Sequence, residues 1–344
     1  MRILPLAVAF SMLPLGADAA VADPTSDGTL QWTVEPVARG ESGQVQFTLT
    51  RRHGDGHWIN SNSMPLADLS GLDAADLASE EARQVRFRLA REAGAFDCQG
   101  EVRRRRGAGA CRFAPDAAFA AALARRGIGT PTSEEMFRLT LSRVGLAFVD
   151  EAERQGYARP TVSDLVRAAD HGAGLDYLRE MGRHGYRAGT LAALIRMRDH
   201  GVTPDYVEAL AAHGYRGLGA EEVVRMRDHG VSADYVRSLA AHGVHGVPPA
   251  ELIRMRDHGV SAEFVGRVRA LGFSAMSTDD LVSMRDHGVG AEFLSELVAL
   301  GYGDLTAADI VRLRTHGVTP DFIRRTNAGG RRSAEELVRL RTGG

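Results

Sequence analysis

Apolar and polar positions along this chain fall into two regimes. In the first, the period is two. Val45, Phe47 and Leu49 alternate with Gln46, Thr48 and Thr50, and Val85, Phe87 and Leu89 alternate with Arg86 and Arg88. That alternation marks half-buried strands of an antiparallel sheet. Residues 29–36 and 57–62 are weaker strand candidates, and 64–83, mixed in polarity, reads as a loop with one or two helical turns. A further hairpin is expected around Cys98 and Cys111, which flank residues 103–109; Gly107 and Gly109 are read as its turn chemistry.

From about residue 115 the pattern becomes helical and recurs at a fixed interval. The stretch 194–202, Leu-Ile-Arg-Met-Arg-Asp-His-Gly-Val, returns at 223–231, 252–260 and 281–289, and more loosely at 165–173 and 310–318. His171, His200, His229, His258, His287 and His316 stand 29 residues apart. A glycine ladder from Gly127 to Gly330 and an aromatic ladder from Phe119 to Phe322 keep the same interval, and in the degenerate early copy Ser142 and Arg143 replace His-Gly. Such periodicity is the signature of stacked repeats.

Each copy contains two short helices. The first is expected to open at a capping box (Thr161 with Asp164, Ser277 with Asp280, Thr306 with Asp309, Ser333 with Glu336). It closes at His-Gly-Val, with Gly in the left-handed position of a Schellman stop. The second opens at Thr203-Pro204-Asp205 or Ser232-Ala233-Asp234, where a hydroxyl caps, Pro suits the first helical position and the acid suits the positive helix end. Helices this short are marginal alone. Leu194, Ile195, Met197, Tyr206, Val207 and Leu210 therefore supply an apolar face for stacking, one per copy. The fold expected is α+β: an antiparallel β module over residues 20–114, then a short-helix α-solenoid of 29-residue repeats over 115–344.

A polar ladder accompanies the stack. Asp199, Asp228, Asp257 and Asp286 sit at helix C-termini, where the macrodipole disfavours an anion, so each needs a partner. Arg198, Arg227, Arg256 and Arg285 are adjacent, and an Arg–Asp ladder between copies is the expected arrangement; a row of ligand contacts is the alternative. His200, His229, His258 and His287, with a second partial row at His184, His213 and His242, read as helix-end caps, one copy apart and too far from each other to share a metal. Arg196, Arg225, Arg254 and Arg312 lie off the apolar stripe and are the candidate partner-binding residues, ordinary solvation being the alternative.

Composition narrows the function. A formal net charge of -2 excludes a broadly basic nucleic-acid binder. All 42 basic residues are arginine. Four of them, Arg103 to Arg106, form either an anion patch or a solvated hairpin tip. His53, Asp55 and His57 have little metal-ligand spacing. Arg2, the apolar run 3–15 and the small-x-small site at Ala17 and Ala19 make 1–19 a cleaved secretory signal, and no other stretch reads as a membrane span. Export in turn makes a Cys98–Cys111 disulfide the expectation, two buried thiols being the alternative. No Gly-x-Ser-x-Gly, phosphate loop or metal motif is present, and no cofactor is expected.

The repeat phrase, Leu/Ile-Val/Ile-Arg-Met-Arg-Asp-His-Gly-Val, resembles the short helical repeats of uncharacterised exported bacterial proteins. It is similar to repeats appended to membrane metallopeptidases of the β-lactam-sensor type. Residues 44–52, 65–72 and 86–113 likewise resemble the β region that precedes the repeats in the stand-alone proteins. The resemblance implies a periplasmic or secreted repeat protein and brings no activity with it; the His-Glu-x-x-His of the peptidases is missing here. The function expected is non-catalytic binding or scaffolding through the array, to a protein or peptide partner. A cell-envelope or polyanion binder using the arginine rows comes second and an uncharacterised hydrolase third.

Overall fold

The computed structural model describes residues 30–37, 43–53 and 56–343. The expected signal stretch 1–19 and the side chains of His53, Asp55 and His57 lie outside the described residues. The chain divides into two compact units, Met1–Ala90 with Gly94–Pro115, and Arg91–Ala93 with Asp116–Gly344.

The first unit is one seven-stranded antiparallel sheet. Its strands are β1 (Leu30–Pro36), β2 (Gln44–His53), β3 (Gly56–Pro65), β4 (Leu69–Ser70), β5 (Arg83–Arg91), β6 (Gly94–Arg103) and β7 (Arg106–Pro115), in the order β3-β2-β1-β7-β6-β5-β4. A short helix, α1 (Ala74–Ala78), opens at a full capping box between Asp73 and Asp76. The alternating residues do what their period implies: Val45, Phe47 and Leu49, and Val85, Phe87 and Leu89, are all buried. Leu30, Trp32 and Val34 of β1 join them.

The sheet curls strongly. The rings of Phe47 on β2 and Phe87 on β5 lie 6.0 Å apart, although those strands are four places apart in the sheet. A flat sheet would separate them by roughly 19 Å at about 4.8 Å per strand. Trp32 fills the interior of the curl, edge-on to Phe87 at 4.8 Å. Its indole Nε1 donates to Gln99 O at 3.1 Å, so the polar end of the ring is satisfied where the rest is apolar.

The hairpin between β6 and β7 corrects one expectation. Cys98 faces Cys111 in register and the two form a disulfide. The turn, however, is the pair Arg104 and Arg105, both left-handed at φ 51° and 65°. Gly107 and Gly109 lie within β7, opposite Val102 and Gly100. They serve close approach: a Cβ on Gly100, Gly107 or Gly109 would stand 2.7, 3.0 or 2.7 Å from an indole atom of Trp32. Packing under the tryptophan therefore sets the register, and two arginines take the strained turn. Arg104 N–H donates to Ser79 O at 2.8 Å and Arg105 N–H to Leu77 O at 2.6 Å, which holds the turn against the end of α1.

The second unit is a two-column stack of short helices. One column holds α3 (Ser133–Thr140), α5 (Val162–Asp170), α7 (Leu191–Asp199), α9 (Ala220–Asp228), α11 (Pro249–Asp257), α13 (Thr278–Asp286), α15 (Ala307–Thr315) and α17 (Ala334–Thr342). The other holds α2 (Ala117–Arg125), α4 (Leu146–Arg154), α6 (Leu175–Arg183), α8 (Pro204–Ala212), α10 (Ala233–Ala241), α12 (Ala262–Ala270), α14 (Ala291–Ala299) and α16 (Pro320–Thr326). From α3 through α17, and from α4 through α16, each helix packs on the next member of its own column. Stability is thus a matter of nearest neighbours.

The stops and starts explain the regular beat. At the end of α7, Val202 N–H reaches Met197 O at 2.9 Å and Gly201 N–H reaches Arg198 O at 3.0 Å. Gly201 sits at φ 67°. This is a Schellman motif, and its apolar partners Met197 and Val202 are both fully buried. Thr203 then caps α8 through Tyr206 N, with Pro204 in the first turn. Capping boxes close at Thr161, Ser277 and Ser333. At Thr306 the hydroxyl accepts from Asp309 N and donates to that residue's carboxylate. One departure is in length: Arg341 follows Arg314 by 27 residues, not 29, yet both make the same contact with the preceding copy.

Candidate functional site: the ladder between repeats

Every rung of the polar ladder joins two consecutive copies. His171 Nδ1 donates to Asp199 Oδ1 at 2.7 Å, His200 to Asp228 at 2.8 Å, His229 to Asp257 at 2.8 Å and His258 to Asp286 at 2.6 Å. A carboxylate only accepts, so the proton is on Nδ1. Each histidine is the C-cap of its helix, as read from the sequence. Each aspartate is the last residue of the next helix in the column, so the imidazole N–H offsets the unfavourable end of the macrodipole.

The expected Arg–Asp pairing is therefore overturned. Arg198, Arg227, Arg256 and Arg285 instead lie over the rings of Tyr177, Tyr206, Tyr235 and Phe264 in the preceding copy, at 5.3, 5.1, 4.9 and 5.2 Å. Arg256 and Arg285 also donate Nε–H to Gly230 O and Gly259 O, each at 3.0 Å. The reason is geometric. Consecutive helical residues project about 100° apart and cannot serve one partner. The arginine faces the preceding aromatic, and the aspartate faces the preceding histidine.

The aromatics are bound from both sides. Tyr177, Tyr206 and Tyr235 donate their hydroxyls to Val202 O, Val231 O and Val260 O of the next copy at 2.7–2.8 Å. Burial pushes the Tyr206 and Tyr235 phenols up to about 12, so they stay protonated donors. Where Phe264 and Phe293 replace tyrosine, the hydroxyl bond is lost and the stacked guanidinium remains.

Both ends show what happens when a rung loses a member. Ser142 stands where the first histidine would be, and Asp170 takes Arg138 instead. Thr315 stands where the last aspartate would be, and His287 Nδ1 turns back onto Ser283 O of its own helix at 2.8 Å. The aspartate and the histidine are each other's partners in the full copies, and each finds a substitute when alone.

The four outward arginines divide two and two. Arg196 pairs with Glu221 at 2.9 Å, and Arg254 pairs with Glu251 at 2.6 Å and with Asp279. The pairs with Glu221 and Asp279 also span copies, at a 25-residue offset that carries no periodic signal because it occurs only where the acid is present, whereas Glu251 lies on the same helix as Arg254. Arg225 and Arg312 are exposed and form no ion pair among the described residues. A separate buried group, Glu151, is held by Arg154 at 2.5 Å, and that guanidinium beside it lowers the carboxyl below the usual range. Among the described residues no three His, Cys, Asp or Glu side chains gather to hold a metal ion, and no helix is long and apolar enough to cross a membrane.

The two kinds of rung differ in strength. Asp257 and His229 are each about 43% exposed, and exposed pairs are worth about 0–1 kcal/mol. Asp257→Asn should therefore lower stability by less than about 1 kcal/mol. Arg256→Ala removes a stacked cation and a charge-assisted bond, and should cost about 1–2 kcal/mol. Urea unfolding of the two variants checks the ranking; Asp257→Asn as the costlier change would contradict it.

With this geometry in place, comparison with known proteins adds no relative: neither a protein-family model nor a curated sequence matches the chain.

Proposed function

We propose that the protein is a non-catalytic, exported binding or scaffold protein whose helical array presents an extended surface to a protein or peptide partner. One observation carries this reading. The residues that every copy shares are spent on holding the next copy, while the outward positions change from copy to copy. One such column reads Arg179, Glu208, Arg237, Gly266, Ser295, Arg324, and another reads Ala192, Glu221, Ala250, Asp279, Ala308. A constant frame carrying varied outward residues is how stacked repeats build recognition surfaces. Arg196 and Arg254 are engaged by acids of this chain, so Arg225 and Arg312 are the arginines assigned to the partner. Export is supported by the Cys98–Cys111 disulfide, since such bridges persist in oxidising compartments, and by the character of residues 1–19.

The test is a pull-down from exported extract with the full chain and with an Arg225→Glu/Arg312→Glu variant. The wild type is expected to retain a specific protein at moderate salt, and the variant to lose it at unchanged thermal stability. Retention that collapses steeply with salt, and that added polyanion displaces, would instead favour counterion-linked binding to a polyanion. Equal capture by both proteins would remove the two arginines from the reading.

A further inference from the structure

The β module contains a cavity of about 310 Å³, lined by Pro36, Val45, Leu66, Ala74 and Leu77 with Arg105 among them. That volume lies at the small end of the range for small-molecule sites. Its wall is apolar apart from Gln44 and the arginine, and no part of the proposed activity of the helical array uses it.

Arg105 is the odd member of its run. Arg103 donates to Glu80 O at 2.9 Å, Arg104 pairs with Glu80 at 2.9 Å and Arg106 with Glu35 at 3.9 Å. Arg105 has no ion pair among the described residues. Its backbone is left-handed at φ 65° and is held there by the bond from its N–H to Leu77 O. That conformation is the one a two-residue hairpin turn asks of both its central residues, and at this turn it leaves Arg105 lining the cavity.

We infer that this cavity is a binding site for an alkyl carboxylate. The chain would lie against Val45, Leu66 and Leu77, and the head group would take the Arg105 fork. A planar carboxylate matches a guanidinium with two parallel hydrogen bonds, and an apolar wall excludes the water that would otherwise compete. A neutral amphiphile leaves the cation unmatched, and a cationic one is repelled. Charge complementarity thus selects among ligands of one shape.

The experiment is calorimetric titration of the full-length protein with sodium decanoate below its micellar range, with decyltrimethylammonium as the control of equal chain length. Decanoate should bind saturably at one site, at least tenfold more tightly than the cation. Arg105→Gly suits the left-handed turn and removes only the guanidinium; it should weaken decanoate at least tenfold, while Arg105→Lys recovers part of the loss. Ala74→Phe, at an exposed position lining the cavity, should abolish binding with the near-ultraviolet circular dichroism unchanged. The inference is overturned by any of three results: no saturable decanoate binding, equal affinity in the Arg105→Gly variant, or equal affinity for the cation.

Discussion

Trp32→Ala should destabilise the β module by about 3–5 kcal/mol, the range for deleting a large buried aromatic. Trp32 is 1% exposed, packs edge-on to Phe87, and is the group around which the sheet closes. The void left behind cannot collapse easily, because the facing surface is the backbone of Gly100, Gly107 and Gly109, with no side chains to shift inward. Relaxation of neighbours is what makes such deletions cheap at other sites. Chemical denaturation followed by near-ultraviolet circular dichroism measures the effect; a loss under about 1 kcal/mol would mean that the curl does not depend on the indole. Trp58 remains as a fluorescence reporter in the variant.

The second large effect belongs to the array, where the same column position gives opposite outcomes. Met226 is fully buried in the middle of the stack, and Met226→Ala should cost about 2–5 kcal/mol. Leu340 occupies the corresponding place in the last helix, α17, and is 49% exposed. Leu340→Ala should change stability by no more than about 0.5 kcal/mol, as surface substitutions do. Because each copy touches only its neighbours, the Met226→Ala damage should be local. Amide hydrogen exchange is expected to quicken in α7, α9 and α11 and to stay unchanged in α3 and α15. Uniform acceleration along the whole array would show that it unfolds as one block and would undo the nearest-neighbour account.

Much of this architecture was legible beforehand, and the reasons are local. Strand alternation at Val45, Phe47 and Leu49, the His-Gly-Val stops and the Thr-Pro-Asp starts each encode their own conformation within a few residues. What escaped was non-local. Gly107 and Gly109 look like turn residues, since glycine is the usual means to a left-handed backbone. Their work is to admit an indole from β1, and only the register of three strands reveals it. The partner of each aspartate escaped for a similar reason. Repeat spacing brings Arg198, Asp199 and His171 into the same neighbourhood, but the direction of each side chain around the helix decides which pair meets. The histidine caps its own helix, which the local sequence shows, and it also donates to the aspartate of the next copy, which the local sequence does not show. The role assigned to Arg105 depends on which of four adjacent arginines lines the cavity with no acid beside it, and composition says nothing of that.

The handedness of each joint has a consequence for how such a chain can grow. A rung takes its donor from one block and its acceptor from the following block, as in His200 with Asp228 and His229 with Asp257. Any interior block therefore carries one half of the joint behind it and one half of the joint ahead. Duplication or loss of a whole 29-residue unit by genetic slippage would leave every joint complete, whereas an indel that cuts inside a helix would orphan two. The final block, shorter by two residues between Arg314 and Arg341, shows where such drift is tolerated: in the linker after α16, outside the parts that clasp.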